Sequence, residues 1–467
     1  MKTELLLFVI LVILVQLSIA QFYGQPEQIH LSYAGDPGRM WVTWVTHDDV
    51  GQSVVEYGET KLTETRNATT HLFTDGGLQH RQLHIHRALM TGLKPGRTYL
   101  YHCGSRWGWS ALYFFRALKP SATGFRYALY GDLGNVNPQS LARIQKEAQM
   151  GHFDMILHIG DMAYNMDTDN ARYGDQFMRQ IEPIAAYVPY MVTVGNHEYA
   201  YNFSNYVSRF TMPQWQQQAS LFYSFDLGPA HFIGISTEFY YYIQFGIDQI
   251  RKQYEWLIAD LQAANANRAN VPWIITMGHR PMYCSDADGD DCTKYESRIR
   301  SGMPLYHKYP LEQLFYAQGV DLELWAHEHS YERLWPVYNR TVYNGTHNPY
   351  HNPPAPVHII TGSAGCQELT DPFELRLPPW SAFHSSQYGY SRMHIHNNTH
   401  LYLEQVSDDL DGKVIDSMWL VKHQHGTGLY EAHPHRNLGH YVPDDYRPSI
   451  EAVKQQYRKT CEGCEPL

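Results

Sequence analysis

Five short segments carry side chains able to hold metal ions: Gly131-Asp132-Leu133-Gly134, Gly160-Asp161-Met162-Ala163-Tyr164, Gly195-Asn196-His197-Glu198, Gly278-His279 and Ala326-His327-Glu328-His329. Carboxylate and phenolate oxygens are hard anionic donors suited to a trivalent ion, whereas neutral imidazole and an amide oxygen suit a divalent one. His327 and His329, two apart, share a face on a strand. In a loop they reach two ions spaced about 3.5–4 Å, the separation of two-metal phosphatases. One Asp, with two oxygens, can bridge such a pair. Taken singly, each segment has a plain structural reading. An Asp after a strand caps a helix or turn, a lone His satisfies a core hydrogen bond, and Gly-Asn-His-Glu opens a helix. A metal centre explains all five together, and the separate readings do not.

The elements that must position these groups are strands. Arg126 to Tyr130 reads as one, ended by Gly131-Asp132, and Met155 to Ile159 as the next, ended by Gly160-Asp161. Tyr190 to Val194, Trp273 to Thr276 and Leu322 to Trp325 lead into Asn196, His279 and His327 in the same way. Between them Asn137-Pro138 opens a helix bearing Leu141, Ile144 and Ala148 on one face. Ile250, Tyr254, Leu257 and Leu261 mark an amphipathic helix, and Leu311 to Gln318 is a shorter one stopped by Gly319. Strand–helix alternation implies an α/β architecture. Strand ends in such a sheet fan apart and leave the crevice where ligands bind.

Before this region the texture is different. Met40 to Val45, Ser53 to Tyr57 and Arg97 to Cys103 are short half-buried strands separated by Asp36-Pro37-Gly38, Asp75-Gly76-Gly77 and Leu93-Lys94-Pro95-Gly96 turns. From about Val357 β texture returns, in Val357 to Gly362, Ser391 to His396 and Leu401 to Val406. The expected organisation is a signal peptide over 1–20, an all-β sandwich over 21–119 and a catalytic α/β domain over 122–350. A β segment over 351–422 completes that domain, and 423–467 is an irregular tail.

Lys2 followed by an apolar run from Leu5 to Val15, with Ser18-Ile19-Ala20 at a cleavage position, reads as an export signal. No later segment approaches the ~20 apolar residues of a membrane span. Sequons at Asn67, Asn202, Asn339, Asn344 and Asn397 fit export, with an extracellular or lysosomal destination. So does the even count of six cysteines. Cys284 and Cys292 bracket a polar loop and are the first pair expected to bridge, for about 2–3 kcal/mol. A formal charge of −11 with no basic block argues against a nucleic-acid surface.

The ordered set Asp-x-Gly, Gly-Asp-x-x-Tyr, Gly-Asn-His-Glu, a single His and His-x-His resembles the purple acid phosphatase branch of the calcineurin-like metallophosphoesterases. It is similar to the long-chain, animal type. Gly134, where most of the superfamily has His, and Tyr164 carry the distinction. The resemblance implies a metallophosphatase sandwich of two β-sheets flanked by helices, preceded by a fibronectin III-like domain. It also implies Asp132, Asp161, Tyr164 and His329 on Fe(III), with Asn196, His279 and His327 on a divalent ion (Fe, Zn or Mn) and Asp161 shared. The expected function is a secreted acid phosphatase that hydrolyses small phosphate monoesters with hydroxide generated at that dinuclear site. His197, beside Asn196, is the expected general acid or phosphate contact, and Glu198 the residue that orients its neighbours. Plant-type members place a His pair after the equivalent of His279. Here Ser285-Asp286-Ala287-Asp288-Gly289-Asp290-Asp291 stands instead, and Arg280, Tyr283 and Arg333 are the candidate substrate contacts. The rival readings are a metallophosphodiesterase or nucleotide hydrolase, separated by substrate profiling, and a non-catalytic secreted binding protein. All seven ligand positions being filled argues against the latter.

Overall fold

In Val54–Gly58 and Thr98–Ser105 alternate side chains point inward, so that Val55, Tyr57, Tyr99, Tyr101 and Cys103 are buried while Glu56, Leu100 and His102 are less so. This period-two pattern builds a sandwich. One sheet runs Glu27–Tyr33, Arg39–Thr46, Gln82–Thr91, Thr69–Thr74, and the other Glu64–Asn67, Val54–Gly58, Thr98–Ser105, Gly108–Trp109, with Tyr113–Arg116 also on Thr98–Ser105. The computed structural model describes residues 22–119, 124–304 and 306–430. The expected signal segment 1–20, the connection at 120–123 and the tail from 431, with Cys461 and Cys464, lie outside the described residues.

The catalytic region holds two larger sheets. In the first, Phe125–Tyr130, Met155–Ile159 and Tyr190–Thr193 run parallel, and Gly389–Ile395, His400–Ser407 and Lys413–Val421 extend it antiparallel. In the second, Ala230–Gly234, Trp273–Met277, Leu322–Trp325 and Val357–Thr361 are parallel, flanked by Tyr223–Leu227 on one side and Tyr331–Leu334 and Ser381–Ser385 on the other. Met155–Ile159, Trp273–Met277 and Val357–Thr361 are buried at every position, as expected of parallel strands covered on both faces. The sheets meet in one core, where Tyr127 packs on Phe232 with ring centroids 5.1 Å apart.

Some elements differ from expectation. The helix after Asp132 spans Leu141–Gln149, and Asn137 does not open it. Pro138 disfavours the helical region for Asn137, which sits at φ 62° and turns its amide onto the Cys366 carbonyl (2.9 Å) and the Tyr388 hydroxyl (3.0 Å). The start of the supposed irregular tail is docked: Tyr430 is buried and donates to the Val320 carbonyl at 2.7 Å. The Cys284–Cys292 bridge is present, whereas Cys103 and Cys366 are free buried thiols despite the even cysteine count. Among the described residues no helix is long and apolar enough to cross a membrane.

Candidate metal centre

Asp132, Asp161 and Asn196 follow three neighbouring strands of the six-stranded sheet. His279 and His327 follow two neighbouring strands of the seven-stranded sheet. The site therefore sits where the carboxyl ends of both sheets come together, with oxygen donors from one side and imidazoles from the other. The chain must reverse sharply there. Asp132 (φ 58°), Asp161 (48°), Tyr164 (52°) and His327 (73°) all occupy the left-handed region. Such conformations cost about 1–3 kcal/mol each in residues other than glycine and cluster at functional sites. Two glycines allow the close approach. A Cβ on Gly195 would lie 2.2 Å from Asp161 Oδ1, and one on Gly160 2.4 Å from His279 Nδ1.

The donor atoms converge. Tyr164 Oη stands 3.1 Å from Asp132 Oδ1 and 2.7 Å from His329 Nε2. His279 Nε2 stands 3.0 Å from Asp161 Oδ2, 3.1 Å from Asn196 Oδ1 and 3.2 Å from His327 Nδ1. Spacings of this size are the edges of a coordination shell around ligands held about 2.0–2.2 Å from an ion. Each histidine also has its remote nitrogen engaged: His279 Nδ1 on the Ile159 carbonyl (2.9 Å), His329 Nδ1 on the Leu369 carbonyl (3.0 Å) and His327 Nε2 on Asp290 (2.5 Å). Those contacts place the proton on the outer nitrogen and turn the lone pair inward, the arrangement a metal-binding imidazole requires. His327 Nε2 also lies 2.7 Å from Arg280 Nη1. With its proton directed at Asp290, the nitrogen has no lone pair for the guanidinium, so the aspartate contact governs.

Glu198 fastens the turn beneath. Its carboxylate, fully buried, accepts from the backbone N–H groups of Asp161 (3.0 Å), Met162 (2.9 Å) and Gly195 (2.9 Å). The electrostatics call for a cation. Burial and the charges of Asp132 and Asp161 hold the Tyr164 phenol well above its usual range, so a phenolate there needs positive charge beside it. Burial, with the Asp161 charge, likewise pushes the Asp132 carboxyl up. Burial also opposes ionisation of Asp161, but His279 and His197 outweigh it and hold that group well below the carboxylate range. The residues present fit a pair of ions by donor type, spacing and charge.

The centre opens into a cavity of about 270 Å³ lined by Asp161, Asn196, His197, Arg280, His327 and His329, with Asp288, Asp290, Glu368 and Asp371 at its acidic side. His197 is tied by its backbone N–H to Asp161 Oδ1 (2.8 Å) and by Nδ1 to Asn165 Oδ1 (2.9 Å), and its ring lies over Tyr164 with centroids 4.2 Å apart. Its Nε2 faces the cavity, 3.6 Å from Glu368 Oε1 and 3.8 Å from Asp161 Oδ2. Arg280 reaches the cavity while Glu238 (3.0 Å) anchors its guanidinium. The other two candidate contacts lie elsewhere. Tyr283 is fully buried, bonded to Glu312 and packed on Trp380. Arg333 is held by Asp416 at 2.7 and 2.8 Å. Both face partners that satisfy them away from the donors, and neither lines the cavity. A cavity of about 1030 Å³ between the sandwich and the catalytic region is larger. It adjoins none of the converging donors, so size does not locate the chemistry.

Asn165, Asp371 and Cys366 stand at the site with no local signal in the sequence, and Asp290 was singled out only as part of the acidic run after His279. The Cys366 thiol stands 3.5 Å from His329 Nδ1. Gly362 ending the Val357–Thr361 strand, as Gly131 and Gly160 end theirs, was the pattern that could have drawn attention to that loop.

Comparison with known proteins agrees with this geometry. The purple acid phosphatase N-terminal domain profile matches residues 26–117 and the calcineurin-like phosphoesterase profile 125–331. The iron/zinc purple acid phosphatase-like protein C profile matches 355–417. Acid phosphatase type 7 of Danio rerio is 56% identical over 419 residues, 87% of this chain and 93% of that protein. Its Mus musculus counterpart is 54% identical over 411 residues, 87% and 93%. The structure of a purple acid phosphatase, PPD1, from yellow lupin (Lupinus luteus) seeds aligns with TM-score 0.70 at 26% identity, over 85% of this chain and 74% of that one. With matches running through both domains and all five donor segments, the chain belongs to the purple acid phosphatase family and is a phosphatase.

Proposed function

We propose that this protein is a secreted acid phosphatase that hydrolyses small phosphate monoesters at a dinuclear iron centre. Asp132, Asp161, Tyr164 and His329 would hold Fe(III). Asn196, His279 and His327 would hold a divalent ion (iron, zinc or manganese), with Asp161 shared. The observation that carries this reading is the convergence of seven donors, three of them imidazoles whose remote nitrogens are already engaged. Bound there, the ions supply charge neutralisation for the phosphoryl group and an acidified water.

The chain's own residues do the rest. Arg280 adds a fixed positive charge to the cavity, where the loose transition state of phosphoryl transfer needs electrostatic clamping. His197 donates Nδ1–H to Asn165 Oδ1, which aims Nε2 at the cavity; with both nitrogens protonated the ring would pass its Nε2 proton to the leaving oxygen. Glu198 keeps the Asp161 and Gly195 turns in register. A cavity of about 270 Å³ accommodates a phosphoryl group with a small leaving group.

Export is supported by the N-terminal apolar run, the disulfide and the sequons. Asn67, Asn202, Asn339 and Asn344 are exposed and available to glycan, whereas Asn397 is half-buried with its carbonyl taken by Thr399 and His400. The N-terminal sandwich we read as fibronectin III-like.

The deciding experiment is a visible absorption spectrum with metal analysis of purified protein, repeated for Tyr164→Phe. Iron with a second ion and a visible band lost in the variant is the expected result. A colourless, iron-free yet active wild type would refute the iron–tyrosinate assignment.

A further inference from the structure

The segment Asp286-Ala287-Asp288-Gly289-Asp290 sets a carboxylate at every second position, as do the first three ligands of a calcium loop. The fold separates the three. Asp290 is taken by His327, and Asp286 is buried behind the loop, so the linear motif by itself makes no site. Asp288 instead meets two carboxylates from elsewhere in the chain. One oxygen each of Asp288, Glu328 and Asp371 lies within 4.8 Å of the others. That is the largest separation two oxygens can have on one Ca²⁺ at about 2.4 Å.

Glu328 carries the argument. It lies between His327 and His329, its side chain is 0% exposed, and its Oε2 has no hydrogen-bond partner. Asp286, also 0% exposed, leaves both carboxylate oxygens unpartnered in the same region. Among the described residues none of Asp288, Glu328 and Asp371 pairs with a Lys or Arg. Burying an uncompensated carboxylate costs several kcal/mol, and a bound cation removes that cost.

The walls are built rather than incidental. The Cys284–Cys292 disulfide closes the loop. Asp286 bridges Phe373, and the Ala287 N–H donates to the Pro372 carbonyl at 2.8 Å. Asp371 accepts the His329 N–H at 2.6 Å. Asp288 and Asp371 line the open cavity, so an ion has a route in.

We propose that Asp288, Glu328 and Asp371 form a third cation site, for calcium, that ties the disulfide-closed loop to the His327-Glu328-His329 segment. All donors are oxygens, which selects a hard cation, and Ca²⁺ accepts irregular carboxylates completed by water where Mg²⁺ demands near-ideal octahedral geometry. The bound ion would hold Asp290 against His327 and the His329 backbone against Asp371. It would be a positioning element outside the dinuclear centre.

The test uses holoenzyme carrying its two catalytic ions, dialysed against millimolar CaCl2 and analysed for metals and thermal unfolding. The expected result is one calcium per chain beyond those two, and a Tm higher by roughly 3–6 °C. Asp288→Asn, at an exposed position, should lower calcium affinity at least about 10-fold with the iron and divalent content unchanged. Glu368→Gln, on the same cavity but outside the ring, should bind calcium as the wild type does. No calcium above the two ions, an unshifted Tm, or Asp288→Asn binding as tightly as wild type would overturn the proposal. A proton shared between Glu328 and Asp288 predicts the first two of those results.

Discussion

His197 and Asp290 show how a single side chain acts at this site through what holds it. His197 points Nε2 toward a leaving oxygen because its Nδ1–H donates to Asn165 Oδ1 and its backbone N–H to Asp161 Oδ1, and the doubly protonated ring would be the proton donor there. For His197→Ala we expect kcat to fall about 10²- to 10⁴-fold, more for alkyl than for activated aryl phosphates, with metal content unchanged. Steady-state kinetics across a leaving-group series checks this, and an equal loss for every leaving group would exclude the proton-donor role. Asp290 receives the His327 Nε2 proton. Asp290→Asn should therefore loosen the divalent ion about 10- to 100-fold while iron is retained, measured by elemental analysis after dialysis against a chelator.

Among the elements, the hairpin Tyr223–Leu227/Ala230–Gly234 has no part in the chemistry but illustrates how the scaffold is fastened. Gly228-Pro229 forms its two-residue turn, with Leu227 opposite Ala230 and Gly228 at φ 59°. His231 on the second strand lies between Asp226 (2.6 Å) and Asp260 (2.9 Å), the latter on the helix Asp248–Ala266. Burial lowers the His231 pKa, but hydrogen bonds and charge from Asp226 and Asp260 outweigh it and raise it to about 9. A raised folded-state pKa stabilises where the unfolded histidine is also protonated, below about pH 6.5, and that stability is lost as pH climbs through 9. His231→Gln should accordingly cost about 3 kcal/mol at pH 6 and much less at pH 10, read from denaturant melts at both values. A pH-independent cost would show that the imidazolium contributes nothing.

Across the whole molecule, the sandwich and the catalytic region share a buried polar seam. Arg209, 1% exposed, bonds Asp175 (2.9 Å) and the Gln28 side chain (2.9 Å), while Arg81 of the sandwich also pairs with Asp175. Tyr101 donates to the Ala186 carbonyl at 2.7 Å and Ser32 to the Thr211 carbonyl at 2.5 Å. Arg209 ends the helix Ala200–Arg209, which begins just after Asn196-His197-Glu198, so the sandwich braces the segment carrying two site residues. Arg209→Ala leaves Asp175 paired with Arg81 but strips the buried Gln28 side chain of its donor, so it should lower stability by about 1–3 kcal/mol in thermal or denaturant unfolding. An unchanged Tm would mean the domains dock without it.

What was legible in the sequence is local. Each of the converging donors stands two to five residues after a strand whose apolar run is contiguous, so types and spacing alone singled out Asp132, Asp161, Tyr164, Asn196, His279, His327 and His329, and the strands that carry them. The Cys284–Cys292 bridge was legible for the same reason, its loop being short. The supporting contacts were not: His197 to Asn165, His327 to Asp290 and His329 to Asp371 span 32, 37 and 42 residues. No period or motif encodes such a distance, because those partners meet only once two sheets have packed and their loops share one rim. The same packing removed Tyr283 into the core and Arg333 onto Asp416, though both stand close in sequence to site residues. Donor chemistry follows from strand-end motifs, whereas proton placement, the cavity and its acidic side exist only in the tertiary structure.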